Sequence, residues 1–393
     1  MIKKLLVIIG LSSLFLGCDN KQEQKSVNNK TEVSTLISEK TGKFVINPQF
    51  DYANSFSEGL AQVRIGDTKT GKWGFIDKQG KMVINPQFDY SISFSEGLAA
   101  VKIGKDITSK WGFIDKQGKM VIPTQFDSAN SFFEGLAEVR IGDYKSGKSG
   151  FIDKQGKMIV NPVFDSVNNF SEGLAAVKIG KDKNGKWGFI DKQGKLVIEP
   201  QFYYANVFLE GLADVRVGDY QTGKSGFIEK QGRMIINPVF DYASGFSEGL
   251  AAVKIGNDET AKWGFIDKQG KMVINPQFDY ANSFSEGLAQ VRIGDTKTGK
   301  WGFIDKQGKM VINPQFSESE KFSQGIAAVL PINNSNNEKY GYIDTKGNVV
   351  ITPQFDKEIL FADLYFLSGT FKEGLAPVLI GGTENGKYGF ISR

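Results

Sequence analysis

The chain has 393 residues, 40% hydrophobic and 23% charged, with a formal net charge of +4. That is the composition of a folded chain, and its small, interspersed charge excludes the basic field of a nucleic-acid binder. It has no histidine and a single cysteine, Cys18. Histidine-based catalysis, histidine metal sites, intrachain disulfides and thiolate clusters are therefore excluded, and no cofactor or metal is expected.

In chain order, Lys3 and Lys4 precede an apolar run from Leu5 to Leu16. The run is too short to span a bilayer comfortably and suits a signal-peptide core. It ends at Phe15-Leu16-Gly17-Cys18, which resembles a bacterial lipobox with Phe15 where leucine is usual. The resemblance implies removal of residues 1–17 and a diacylglyceryl group on Cys18. The mature chain is then a lipoprotein held to a membrane of the bacterial envelope, periplasmic or surface-exposed. Asp19 resembles the inner-membrane retention signal of enteric bacteria. The plainer alternative is an ordinary signal peptide with an incidental cysteine. Residues 18–34 are polar, cannot bury a core and form a flexible tether.

From residue 35 to the end one unit recurs. Its Glu-Gly-Leu-Ala motif starts at Glu58, Glu96, Glu134, Glu172, Glu210, Glu248 and Glu286, and Gln324 keeps the step of 38. The last copy, Glu373, comes 49 later, with one extra residue in the 333–338 loop and ten between Phe355 and Phe371. Each unit reads as four strands, here Tyr52 to Phe56, Leu60 to Ile65, Trp73 to Ile76 and Lys81 to Ile84. Ser57-Glu58-Gly59 and Asp77-Lys78-Gln79-Gly80 are tight turns, and Asn85-Pro86 ends the fourth strand. Short strands, tight turns and recurrent aromatics predict an all-β, propeller-like array of tandem four-stranded antiparallel repeats. About nine units fill residues 35–393. An open twisted array is the rival, and a parallel β-helix fits poorly. No helix is signalled.

The chain ends on a third strand, Tyr388 to Ile391, and opens on a fourth, Phe44-Val45-Ile46, preceded by a poor third at Thr35-Leu36-Ile37. A closed ring would pair them, setting Phe390 next to Val45. A second period of 76 is superimposed: Gln62-Val63-Arg64 returns as Glu138, Asp214 and Gln290 versions, with Ala-Val-Lys between them. Val45 to Phe88 is identical to Val273 to Phe316, so shared residues cannot all be functional.

The residues Lys72-Trp73-Gly74-Phe75-Ile76-Asp77, Gly80, Pro86, Phe88 and Glu58-Gly59-Leu60-Ala61 resemble the WG-repeat (KWG-repeat) family of bacterial proteins. The resemblance implies a propeller-like β repeat, often on exported or envelope proteins, and carries no catalytic residues over. Ser149 and Ser225 depart from it in place of tryptophan, and Pro123-Thr124 in place of Asn-Pro.

The tryptophans could stack on sugars, but packing between sheets is the simpler expectation. Tyr144 and Tyr220 are expected to refill the space left at Ser149 and Ser225. The recurring acids, Asp77 and Glu58 with their copies, suit turns rather than a catalytic carboxylate pair. Loops such as 66–72, 180–186 and 256–262 lack the ordered ligands of a calcium site. The insertion 356–370 breaks the period and is apolar, with Phe361, Tyr365 and Phe366 as a candidate partner surface. It suits either a partner contact or a cap on the end of the array. The expected function is non-catalytic binding or scaffolding, with an envelope protein or glycan as partner. A hydrolase using loop carboxylates and a structural or adhesive surface array are the alternatives.

Overall fold

In the computed structural model, residues 42–104, 108–143, 145–181, 184–256, 260–332, 339–360, 364–366 and 369–393 are described. Cys18, the tether, Thr35-Leu36-Ile37, Tyr144, loop 333–338 and Phe361 lie outside them. The described chain is almost wholly strand and turn, with one helical turn at Gly382–Asn385.

Unit one shows the pattern. Tyr52–Ala53, Ala61–Ile65, Lys72–Ile76 and Met82–Phe88 pair in that order as one antiparallel sheet. The first strand is shorter than its sequence suggests and the fourth is longer. The fourth runs straight through Asn85-Pro86, because the ladder bulges there. Trp73 pairs with Phe88 and Phe75 with Ile84, so the fourth strand holds three residues opposite Gly74 alone. A proline fits inside a bulge, where no ladder N–H is needed. The bulge also explains the Trp-Gly pair: a Cβ on Gly74 would lie 2.5 Å from the Ile84 carbonyl oxygen and 2.8 Å from the Pro86 nitrogen. Unit two keeps this register with Pro123-Thr124 in place of Asn-Pro.

The units join through apolar faces. Phe75 of unit one meets Phe94 of unit two with ring centroids 4.9 Å apart. The same third-strand to next-unit pair recurs from Phe113–Phe132 through Phe303–Phe322, and Tyr342–Phe371 continues it. Nine units in an open row have eight such junctions. A ninth is present: Phe390 meets Phe56 at 5.0 Å, inside a buried cluster shared by the last unit and the first.

Backbone pairing seals this ninth junction. Lys43–Phe50 runs antiparallel to Lys387–Ser392, with Phe44 opposite Ile391 and Ile46 opposite Phe390. The expected neighbourhood of Val45 and Phe390 is therefore present, and the N-terminal strand supplies the fourth strand of unit nine. Contacts between units return to their start, so the array is a closed ring. Closure covers the edge of Lys387–Ser392, which would otherwise be free for another chain.

Polar clips repeat at every junction. The Ser57–Leu60 hairpin turns on Glu58 and Gly59, with φ of 54° and 86°. A left-handed glutamate costs about 1–2 kcal/mol. Its carboxylate accepts from Gly97 N of the next unit at 3.0 Å and pairs with Lys116 Nζ at 3.2 Å. At the seam Glu373 does the same with Gly59 N and Lys78. Partly exposed pairs are each worth at most ~1 kcal/mol, so the buried rings dominate each junction.

Candidate functional site

The loops that follow second and fourth strands share one side of the ring. Asp89, just after a fourth strand, takes Lys72 Nζ on one oxygen and Gly104 N on the other. Asp51 repeats this with Lys387 and Gly66 N. Aromatic rings line this side in most units, from the start of the first strand, as at Tyr52 and Tyr90, and from the third strand, as at Trp73 and Trp111. Tyr388, Tyr52, Trp73, Tyr90 and Trp111 follow one another at 5.3–5.7 Å. Tyr242, Trp263, Tyr280 and Trp301 form a second arc at 5.1–5.7 Å.

The two residue types differ in exposure. Trp73, Trp187 and Trp263 are buried between units, as expected of packing residues, whereas Tyr90 and Tyr242 are 48% and 53% exposed. The first-strand tyrosines are the part of the row that a ligand can touch, whereas Tyr388 of the third strand is buried. Their positions were visible in the sequence, but only the register shows that they interleave with the tryptophans. Arg64 lies 5.7 Å from the centroids of Tyr52 and Trp73, and Arg292 repeats the contact over Tyr280 and Trp301.

The arcs break at Ser128, Ser149, Ser166 and Ser225, and the expected tyrosine refilling does not occur in unit five. Tyr220 is 77% exposed. Arginine takes up the role instead. Without an indole beside it, Arg216 donates from Nη1 to the Asp241 carbonyl at 2.7 Å. Arg140 likewise reaches the Asp165 carbonyl at 3.0 Å and Ser149 Oγ at 3.3 Å. Arg216→Ala is therefore expected to cost about 2 kcal/mol, the loss of charged hydrogen bonds. Arg64→Ala, which loses a cation–π contact and one 3.2 Å bond to the Gly66 carbonyl, is expected to cost about 1 kcal/mol. Urea titration measures both; equal losses would reject this account.

The same units carry acids in the second strand. Gln62 is buried and bridges to the next unit through Ser91, and Gln290 does so through Ser319. In unit three Glu138 accepts from Ser149 Oγ at 2.9 Å and Asn130 Nδ2 at 2.6 Å. Burial raises its pKa against those bonds. In unit five Asp214 is shorter, and Ala243 and Gly245 stand where unit two has Ser91 and Ser93. Asp214 is 5% exposed and its Oδ1 has no hydrogen-bond partner among the described residues. Burial pushes its pKa up to about 7.

The repeated acids serve the backbone. Asp77 Oδ1 accepts from Gln79 N and Lys81 N, and Asp67 Oδ1 from Lys69 N and Thr70 N. Among the described residues, no group of three or more Asp, Glu or Cys is placed to hold a metal ion.

The insertion is a β-hairpin, Glu358–Leu360 paired with Leu364–Phe366. Tyr365 and Phe366 lie in its second strand, opposite Ile359 and Glu358. It leaves the ring just after Asp356, whose Oδ2 accepts from Gly381 N, so it springs from the side that carries the tyrosines. A closed ring has no end to cover, which removes the reason for a terminal cap.

This geometry defines a closed, propeller-like β-repeat protein. Nine matches to the model described as WG containing repeat cover residues 37–68, 73–105, 111–144, 150–186, 187–220, 226–257, 263–296, 301–334 and 340–383, and the chain belongs to that family. No curated protein matches the sequence. The crystal structure of a eukaryotic initiation factor is similar over 80% of this chain and 89% of its own, with a TM-score of 0.56 and 13% identity. That likeness shows a shared fold alone. The β-propeller domain of the trilobed protease from Pyrococcus furiosus aligns over 68% of this chain and 99% of its own, at a TM-score of 0.38 and 11% identity. It is too remote to carry an argument.

Proposed function

We propose that this chain is an exported bacterial lipoprotein, anchored through Cys18, that binds an envelope protein or glycan without catalysis. The observation that carries the reading is the tyrosine-bearing side of the ring, from which the unique hairpin also springs. Exposed aromatic rings held by buried neighbours offer contact area at low entropic cost. The repeated carboxylates are engaged by their own turns or by the next unit, which supports binding over hydrolysis.

Two measurements test the two halves. Labelled palmitate is expected on the wild-type chain and absent from Cys18→Ser; equal labelling would refute the anchor. For binding, Tyr242→Ala/Tyr280→Ala and a deletion of residues 358–366 are compared with wild type against purified cell-wall sacculi and in crosslinked native membranes. Loss of at least tenfold in one of these assays is expected, with far-ultraviolet dichroism unchanged. Undiminished binding by both variants would refute this face as the site.

A further inference from the structure

The seam of the ring differs from the other junctions between its first strands, where Tyr90 and the hairpin residue Lys372 line one cleft. A cleft of about 340 Å³ opens where unit nine meets units one and two. Its polar lining includes Asn54, Ser55, Ser57, Gln62, Ser93 and Lys372, and no carboxylate lines it. We infer that this cleft binds a sugar bearing a carboxylate.

The cleft is preorganised. Asn54 Nδ2 and Ser93 Oγ both donate to Gln62 Oε1, at 2.9 and 3.0 Å, and Gln62 Nε2 donates to Ser91 Oγ at 2.8 Å. Ser55 Oγ donates to the Thr370 carbonyl of unit nine at 3.1 Å. These bonds fix the side chains yet leave hydroxyl lone pairs and the Asn54 carbonyl oxygen as acceptors for sugar hydroxyls. The volume lies within the range of small-ligand sites, roughly 300–1,000 Å³.

The charge preference comes from Lys372. It stands where most units carry serine at this turn, as at Ser57, Ser95 and Ser247. It makes no ion pair among the described residues, while the neighbouring Glu373 is held by Lys78 and Gly59 N. Unit seven supplies an internal comparison. Its residues match those of unit one, and Asn282, Gln290 and Ser319 rebuild the same amide network. Its neighbours, however, are Ser247 and Glu318, where the seam has Lys372 and Tyr90. Among the described residues only the seam joins that polar face to an ammonium without an ion pair, and neutral polar groups with one cation suit a hydroxyl-rich anion.

Titration calorimetry with glucuronate, glucose and an oligosaccharide ending in a uronic acid tests the site. Glucuronate is expected to bind at least tenfold more tightly than glucose, and the oligosaccharide to match or exceed it if the natural source is a glycan rather than a free sugar. Lys372→Ala should reduce glucuronate to the level of glucose, and Lys372→Glu should abolish its binding. Lys372 is exposed, so both variants should keep the wild-type melting temperature. The Tyr242→Ala/Tyr280→Ala chain should bind glucuronate normally, because of the tyrosine row only Tyr90 lines this cleft. Absence of glucuronate binding, or equal affinity in wild type and Lys372→Ala, overturns the inference.

Discussion

A chain shortened to begin at residue 51 is expected to melt on the order of 10 °C below the full chain, and to self-associate. The lost segment, Lys43–Phe50, buries Ile46 and Phe50 against unit nine and supplies the ladder to Lys387–Ser392. Two buried side chains of that size contribute roughly 3–6 kcal/mol before any hydrogen bond is counted. Removal also uncovers Tyr388 and Phe390 and frees a strand edge, which invites pairing with another copy. Differential scanning calorimetry and light scattering read both effects. A peptide of residues 43–50 added in trans should restore part of the lost stability. A truncated chain that melts with the wild type and stays monomeric would show that the ring does not depend on its seam.

The second large effect concerns Asp214. Its folded pKa of about 7 lies above the ordinary value of 3.8. The folded state therefore holds the proton more tightly than the unfolded state, and the carboxyl penalises folding fully above pH 7. That penalty shrinks as pH falls and is gone below about 4. At about 1.4 kcal/mol per unit, the full penalty is roughly 4 kcal/mol. Asp214→Asn is thus expected to stabilise the protein by several kcal/mol at pH 8.5 and by little at pH 4.5, measured by urea unfolding. Tyr204 of the same unit and Tyr242 of the next are the titratable neighbours. Both are phenols that stay neutral across this range, and the Arg216 guanidinium is committed to backbone carbonyls. A gain that does not change between the two pH values would refute the assignment.

The period, the two inner strands and the hairpin turns were legible because each is written in local sequence: alternation in Ala61–Ile65, glycine at the turns, nine copies of the frame. The seam was legible too, since a leftover third strand and a leftover fourth strand must pair to close a ring. The fourth strand was misjudged at Asn85-Pro86. Proline usually ends a strand, and only the bulge opposite Gly74 shows why it does not here. The first strand is shorter than its sequence suggests: beyond Ala53 only isolated backbone bonds, including those from Asn54 N to the Gln62 carbonyl and Ser57 N to the Leu60 carbonyl, continue toward the turn. Glu58 read as a turn former, while its contacts lie 39 and 58 residues away. The changes at Ser225 and Asp214 were visible as departures from the period. Their link was not, because sequence does not show that Arg216 swings to a new carbonyl or that Ala243 and Gly245 leave the acid without a donor.

The seam also decides how the ring meets tension. Lys43 sits opposite Ser392, so both ends of the ring emerge side by side. A pull on the N-terminal segment loads that pair first and peels the antiparallel ladder bond by bond, instead of shearing it all at once. The other eight junctions join units by continuous chain as well as by packing. The closing strand is therefore expected to act as a mechanical fuse, yielding before the repeats do when the chain is stretched.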